Sequence, residues 1–452
     1  MAGLPIDVHV FPYRDGTFYA FDVRNYAILR IDAPAAAVLA RMRDFPLEAI
    51  TADLSDRWSA ETVRGHYLQF LELIRDGALS VMPVDRPGRP LFNHLVIMLA
   101  GGCNMGCTYC FEKDVPVYQH LNLMTREHAD EILDWFMASQ EGASAHVQLY
   151  GGEALLNWPI LQHVVERLET WAEAQGKQLT KYLITNGTLL NAERIAYLNA
   201  HGVEIQVSVD GDHATHDKFR VLKSGAPTLD RIKRNIDELK RQHADFNLRA
   251  VLTRANLDPG AVIQGLKSHG SDDVSFEVVA TDHASARLSE GDWHAFNQRY
   301  RKHVDTTFER WADVPHEMQS TISTILSQRH VFYGCGAGLS EVTVDPNGNI
   351  YECQRIYRQP FAHVSEGRRP EHFNSTLLTM VDDRPVCQDC WARYLCGGGC
   401  MHQAHTEHGA DVPVEHYCVM KRTLVESSIA AIARMRSGEM PVADAPERLQ
   451  PR

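Results

Sequence analysis

From residue 94 to about 310, short apolar runs alternate with longer stretches in which apolar residues recur every three or four positions. The runs LVIML at 95, HVQLY at 146, KYLIT at 181, EIQVSVD at 204, NLRAVLT at 247 and VSFEVVA at 274 have the length and β-branched content of strands. The stretches 125–139 and 228–242 predict helices, the second with Leu229, Ile232, Ile236 and Leu239 on one face. Six such repeats predict an α/β domain whose parallel sheet curves into a partial (β/α)6, TIM-like barrel, because right-handed crossovers put each helix outside. Sites in such folds collect at the C-terminal strand ends. Cys103, Gly151, Asn186 and Asp210 follow the first four strands.

The flanks have other rhythms. Residues 1–82 predict a separate small domain: IDVHVF, FYAFDV and AILRID read as strands, then three helical patterns follow, the clearest running from the N-cap Ser59 to Gly77. The prolines of PVDRPGRP mark 83–93 as a linker. Residues 311–334 read as a connecting helical segment, 335–420 as a cysteine-rich domain of little periodicity, and 421–452 as a helix and tail. VTVDPNGNIYEC predicts a hairpin about Asn347-Gly348.

Charge narrows the function. With 45 Lys+Arg against 58 Asp+Glu, net charge −13, and no basic run to contact phosphates, nucleic acid is not expected as a partner. The start MAGLPIDVHV lacks a basic then apolar targeting pattern, and no apolar run approaches membrane-spanning length, so no membrane association and a cytoplasmic location are expected. The ten cysteines fall in two places, three at 103–110 and seven from Cys335 to Cys418. Close-set thiols in such a chain point to metal ligands.

Cys103-x3-Cys107-x2-Cys110 can hold three irons of a cubic 4Fe-4S cluster and leave the fourth open, whereas a structural zinc site or a closed electron-transfer cluster uses four ligands. This motif, with Tyr109 before its last cysteine, resembles the signature of radical S-adenosylmethionine (SAM) enzymes. The resemblance implies that SAM chelates the open iron and is cleaved to a 5'-deoxyadenosyl radical that takes hydrogen from substrate. It also implies SAM contacts: Gly151, Gly152 and Glu153 near the methionine amino group, Asn186 at the ribose, Ser208 and Arg220 at the carboxylate, and Tyr109 near the adenine.

The downstream spacing, Cys335 and Cys353, then Cys387-x2-Cys390-x5-Cys396-x3-Cys400 and Cys418, resembles a SPASM domain with two auxiliary 4Fe-4S clusters. That implies Cys387, Cys390, Cys396 and Cys418 around the distal cluster and Cys335, Cys353 and Cys400 around the nearer one. Relatives place an eighth cysteine where this chain has Glu341, so either Glu341 coordinates or an iron is open to substrate. A zinc module is the alternative for the seven, and His402, His405 and His408 invite a separate metal reading. Asp210 and Glu277 are candidate proton acceptors.

The N-terminal unit resembles the winged-helix-like element that binds a leader peptide by strand addition. Together these resemblances imply a peptide maturase with three clusters, a leader-bearing precursor peptide, and a low-potential electron donor such as flavodoxin or ferredoxin. Thioether formation is the expected outcome. Carbon–carbon cross-linking, epimerisation and sulfatase-type maturation are the enzymatic alternatives, and an iron–sulfur carrier or redox sensor is the non-enzymatic one.

Overall fold

A computed structural model describes residues 4–114, 121–306, 308–356, 360–367, 379–409 and 412–450. The chain begins with an antiparallel sheet of β1 (Val8–Pro12), β2 (Phe18–Asp22) and β3 (Ile28–Ile31), followed by α1 (Ala33–Met42), α2 (Leu47–Asp53) and α3 (Ala60–Arg75). Two caps start these helices where the sequence provides them: Asp32 accepts from Ala35 N and Ser59 from Thr62 N. One face of the sheet, with Ile6 and Ala20, packs on Val38, Leu39, Met42, Ile50, Val63 and Phe70.

The other face of this sheet joins the main core through Phe11, Tyr19, Phe21 and Tyr26. His9 lies flat on Trp391 with ring centroids 3.7 Å apart, Tyr26 Oη donates to the Tyr394 carbonyl at 2.8 Å, and Arg393 pairs with Asp7. The first sheet is therefore seated on the cysteine-rich segment.

β4 (His94–Ala100), β5 (Ser144–Gly151), β6 (Gln178–Thr185), β7 (Val203–Ser208), β8 (Phe246–Leu252) and β9 (Val274–Val278) are parallel neighbours in chain order. Their side chains alternate. Leu95, Ile97 and Leu99 of β4, Val147 and Leu149 of β5, Ile205 and Val207 of β7, and Leu248, Ala250 and Leu252 of β8 enter the apolar core with Leu133, Leu168, Ile232 and Leu239 of the surrounding helices. The other set faces inward, with Val96, Met98, Tyr150 and Ile184 as an apolar layer. Polar residues share this inner side: Tyr182 Oη donates to Gln206 Oε1 at 2.8 Å.

The α/β class and the mostly parallel sheet match the sequence reading. One strand pairing does not follow from it. β10 (Glu341–Val344) forms the expected hairpin with β11 (Asn349–Tyr351), but β10 also runs parallel to β4, so β10, β11 and β12 (Ala362–His363) extend the same sheet to nine strands. The hydrophobic pattern of a hairpin carries no information about which outside edge it will join. The long helix Glu415–Arg436 then packs against the helices Glu290–Val304 and His316–Leu326. Among the described residues no helix is long and apolar enough to cross a membrane.

Asn157 fastens the end of β4. Its buried side-chain amide donates to the carbonyls of Leu99 and Met124, each at 2.9 Å. Asn157→Ala removes this donor from both carbonyls, leaving Leu99 O with Met124 N, and should cost about 2 kcal/mol in urea unfolding; an unchanged midpoint would contradict this role.

Candidate active site and auxiliary thiol sites

The ends of β4 and β5 meet backbone to backbone. Gly152 N donates to Ala100 O and Glu153 N to Gly102 O, both at 3.0 Å. A Cβ on Gly151, which has φ +140°, would stand 2.3 Å from Ala100 O, and one on Gly152 would stand 2.5 Å from Gly102 O. Only glycine permits this approach. It places Cys103 directly beside the Gly-Gly segment.

The loop from Cys103 to Cys110 rests on residues 219–223: Gly106 N donates to Val221 O at 2.8 Å and Thr108 N to Phe219 O at 3.0 Å. Asn186 Nδ2 reaches Cys103 Sγ at 3.5 Å and Asn104 Oδ1 at 3.0 Å. Glu153 is taken up by backbone and hydroxyl donors. Its buried carboxylate accepts from Leu155 N, Thr185 Oγ1 and Asn186 N, at 3.1, 2.8 and 2.8 Å, and so fixes the end of β6.

Beneath Cys107 lies a buried trio. Tyr109 Oη donates to Asp210 Oδ2, Arg220 Nε pairs with the same oxygen at 2.9 Å, and the guanidinium sits 5.4 Å from the Tyr109 ring centroid. Arg220 is thus held by Asp210. Asp210 also accepts from Val251 N at 2.9 Å, so it is an organiser of this corner and not a free proton acceptor. Ser208 ends β7 half-buried, in register with Arg249 of β8.

Burial pushes the Cys103 thiol up to about 12 and raises Cys107 and Cys110, with Cys107 further raising the other two. Arg220 opposes this at Cys107 alone, among the leading influences. Three partly buried thiols with so little positive charge around them need a nearby cation to become thiolates, which a metal centre would supply.

The other seven thiols form two groups. Cys387, Cys390, Cys396 and Cys418 line one cavity of about 240 Å³, with Gly398, Gly399 and Cys400 on its wall. Burial pushes Cys418 up to about 12, with Cys396 and Cys390 acting in the same direction. Cys335 and Cys353, pushed up to about 11 and about 12, each respond to Cys400 and Glu341 as neighbours. Gly334 and Gly397 allow this grouping: a Cβ at Gly334 would meet Gly399 O at 2.2 Å, and one at Gly397 would meet Tyr333 C at 2.5 Å. Among the described residues no His, Cys, Asp and Glu side chains gather as a site for a metal ion. The four thiols instead stand around the walls of the cavity.

Glu341 Oε2 lies 2.8 Å from His94 Nδ1 across the β10–β4 pairing. The three histidines of the metal reading diverge. His402 is buried with its ring 5.4 Å from Phe111, whereas His405 Nδ1 turns back to Met401 O at 3.0 Å. Glu277 is clasped by Arg249 and Arg355. Arg355, which sequence reasoning passed over, joins the cysteine-rich segment to β9; its position two residues after Cys353 was the one available signal.

Comparison with known proteins follows this geometry. The Radical SAM superfamily model matches residues 97–258. The chain is 26% identical over 347 residues to the serine-type anaerobic sulfatase-maturating enzyme of Klebsiella aerogenes, covering 70% of this chain and 81% of the relative. It is 20% identical over 354 residues to the cysteine-type anaerobic sulfatase-maturating enzyme of Clostridium perfringens, covering 73% and 94%. Its fold resembles native anSMEcpe solved with bound AdoMet and the Cp18Cys peptide, at TM-score 0.61 and 18% identity, covering 75% of this chain and 96% of that one.

Two outcomes test this site. Gly152→Ala should displace Cys103 and lower the iron retained per chain after anaerobic reconstitution, while the Cys387 group keeps its share; full iron loading would contradict the packing. Burial pushes His216, wedged between Asp210 N and Thr228 Oγ1, down to about 4. The unfolded chain, with His near 6.5, then binds more protons below neutrality. Stability is complete above about pH 6.5 and should fall by about 2 kcal/mol from pH 7 to pH 5. His216→Asn should flatten that part of the urea-unfolding pH profile.

Proposed function

We propose, from the premise that residues 97–258 form a radical SAM domain of an enzyme, that this protein matures a ribosomally made precursor peptide by closing intramolecular thioether links. Cys103, Cys107 and Cys110 would hold the 4Fe-4S cluster that binds SAM. When bound, cluster and SAM supply a 5'-deoxyadenosyl radical that removes hydrogen from the peptide. Gly151 and Gly152 bring backbone close enough to line the SAM site, Asn186 orients Cys103, and Tyr109, Asp210 and Arg220 support Cys107 from below. Tyr109 is buried in that support, which leaves its ring edge as the part available to the adenine. Ser208 would take the SAM carboxylate, and Glu153 would act by fixing Asn186.

Residues 335–420 would form a SPASM domain. Its distal cluster would be held by Cys387, Cys390, Cys396 and Cys418, and its nearer one by Cys335, Cys353 and Cys400. The observation that carries the thioether reading is the state of Glu341. Its carboxylate is engaged by His94, leaving three thiols in that group and a coordination place for a substrate thiolate. Residues 1–82 would bind the leader peptide on their small sheet, with 83–93 as the linker to the barrel at 94–310. Flavodoxin or ferredoxin would supply low-potential electrons.

The curated relatives favour a second reading, a sulfatase-type maturase, since both act in that process by their names. The separate core of residues 4–79 beside the barrel favours the peptide reading. Mass spectrometry of a cysteine-containing precursor peptide, after anaerobic incubation with enzyme, SAM and reductant, decides between them. Loss of about two hydrogens per link with the thiol blocked to alkylation is the expected result. Loss of hydrogens with the thiol still free would point to a carbon–carbon link, and unchanged mass with inverted residues to epimerisation; either overturns the thioether. Iron should approach about twelve per chain. Cys107→Ala should abolish SAM cleavage while Cys396→Ala retains part of it, and equal retention in both would contradict the ligand assignment.

A further inference from the structure

On the inner side of the barrel two guanidiniums meet at one carboxylate. Glu277, on the inner side of β9, accepts from Arg355 Nη2 at 2.8 Å and from Arg249 Nη2 at 2.9 Å, and Arg355 Nη1 closes a bidentate pair. Two guanidiniums therefore share one carboxylate. The other acid within Arg355's field, Glu112, is engaged by Tyr150 Oη at 2.8 Å and lies 3.8 Å from Cys110 Sγ. Among the described residues Glu277 is the one carboxylate in a direct pair with either guanidinium, so positive charge gathers here in a protein of net charge −13.

This charge faces inward. Arg249 alternates with Leu248 and Ala250, which enter the core between sheet and helices, so its side chain lies on the barrel's inner side. Its side chain is 40% exposed, and burial lowers its pKa. Arg355 lies 5.6 Å from the ring centroid of Phe111, the residue after Cys110, and Phe111 contacts His402, two residues after Cys400. His402 is 7% exposed and its Nδ1 has no hydrogen-bond partner. Arg355 and the unpartnered nitrogen thus lie where the loop of the first thiol group meets the segments bearing Cys353 and Cys400. A buried polar atom of this kind is normally satisfied by something.

We propose that Arg249, Arg355 and His402 form a binding site for a carboxylate of the peptide substrate, either an acidic side chain near the reacting residue or the peptide's own C-terminus. The inference rests on the peptide-maturase reading and names its substrate class. Glu277 is then a positioning residue that holds both guanidiniums, in the planar forked geometry that suits carboxylates. It leaves the outer edge of one guanidinium for the ligand.

The test uses reconstituted holoenzyme with SAM and reads affinity without turnover, by titration calorimetry. Three probes are compared: an acetylated, amidated peptide with Cys followed by Asp, its Asn counterpart, and a shorter Cys peptide ending in a free carboxylate. The Asp or the free-acid peptide should bind about tenfold more tightly than the Asn one, a difference of about 1.4 kcal/mol. Which of the two is preferred identifies the source of the carboxylate. Arg249→Gln should reduce the ratio to about twofold or less, and Glu277→Gln, which frees a second positive charge, should raise it above wild type. A misfolded variant cannot produce that rise. Equal affinity for all three probes in the wild type would make the ion pairs a strut only and overturn the proposal. So would an Arg249→Gln protein that loses SAM affinity but keeps the Asp preference, because the guanidinium would then serve the methionine carboxylate. Failure of the protein to cleave SAM would sink the maturase reading instead, independently of these ratios.

Discussion

The rest of the site depends on two strands whose ends approach more closely than any side chain allows. Gly151 and Gly152 lie against the backbone of Ala100 and Gly102, and the hydrogen bonds across this contact fix where β4 releases the chain into Cys103. From there the order propagates. Glu153 is pulled inward by the same turn and anchors Asn186, and Asn186 returns to touch Cys103. Three strand ends are thereby held by a circuit of hydrogen bonds with one steric condition at its start.

That circuit is polar because the barrel divides its residues by period two. The apolar set goes outward to the helices, and the inner side is left to mixed residues that water or a ligand can satisfy. The thiols continue the principle. They are gathered in groups where burial disfavours their own ionisation.

Much of this was legible in the chain. The parallel strands were readable because each has a two-sided burial pattern written in its own residues, and Gly151, Asn186 and Asp210 because they end those strands. Cysteine spacing was readable because short loops limit where thiols can go. Three features were not. The parallel pairing of Glu341 with His94, the clasp of Arg355 on Glu277, and the seat of Asp7 on Arg393 join residues remote in sequence. Each is decided by three-dimensional packing after the local elements exist. Arg220 shows a subtler limit: its motif marked it as functional, but its partner Asp210 could be seen only once both were buried together.

The first sheet packs one face on its own helices and the other on Trp391, Tyr394 and the helix Glu415–Arg436. The ribosome makes that sheet some three hundred and sixty residues before its cover. Phe11, Tyr19 and Phe21 therefore wait unprotected through most of synthesis, and they are sealed only when the last cysteines have emerged. Completion of the amino-terminal unit thus waits on the cysteine-rich end of the molecule.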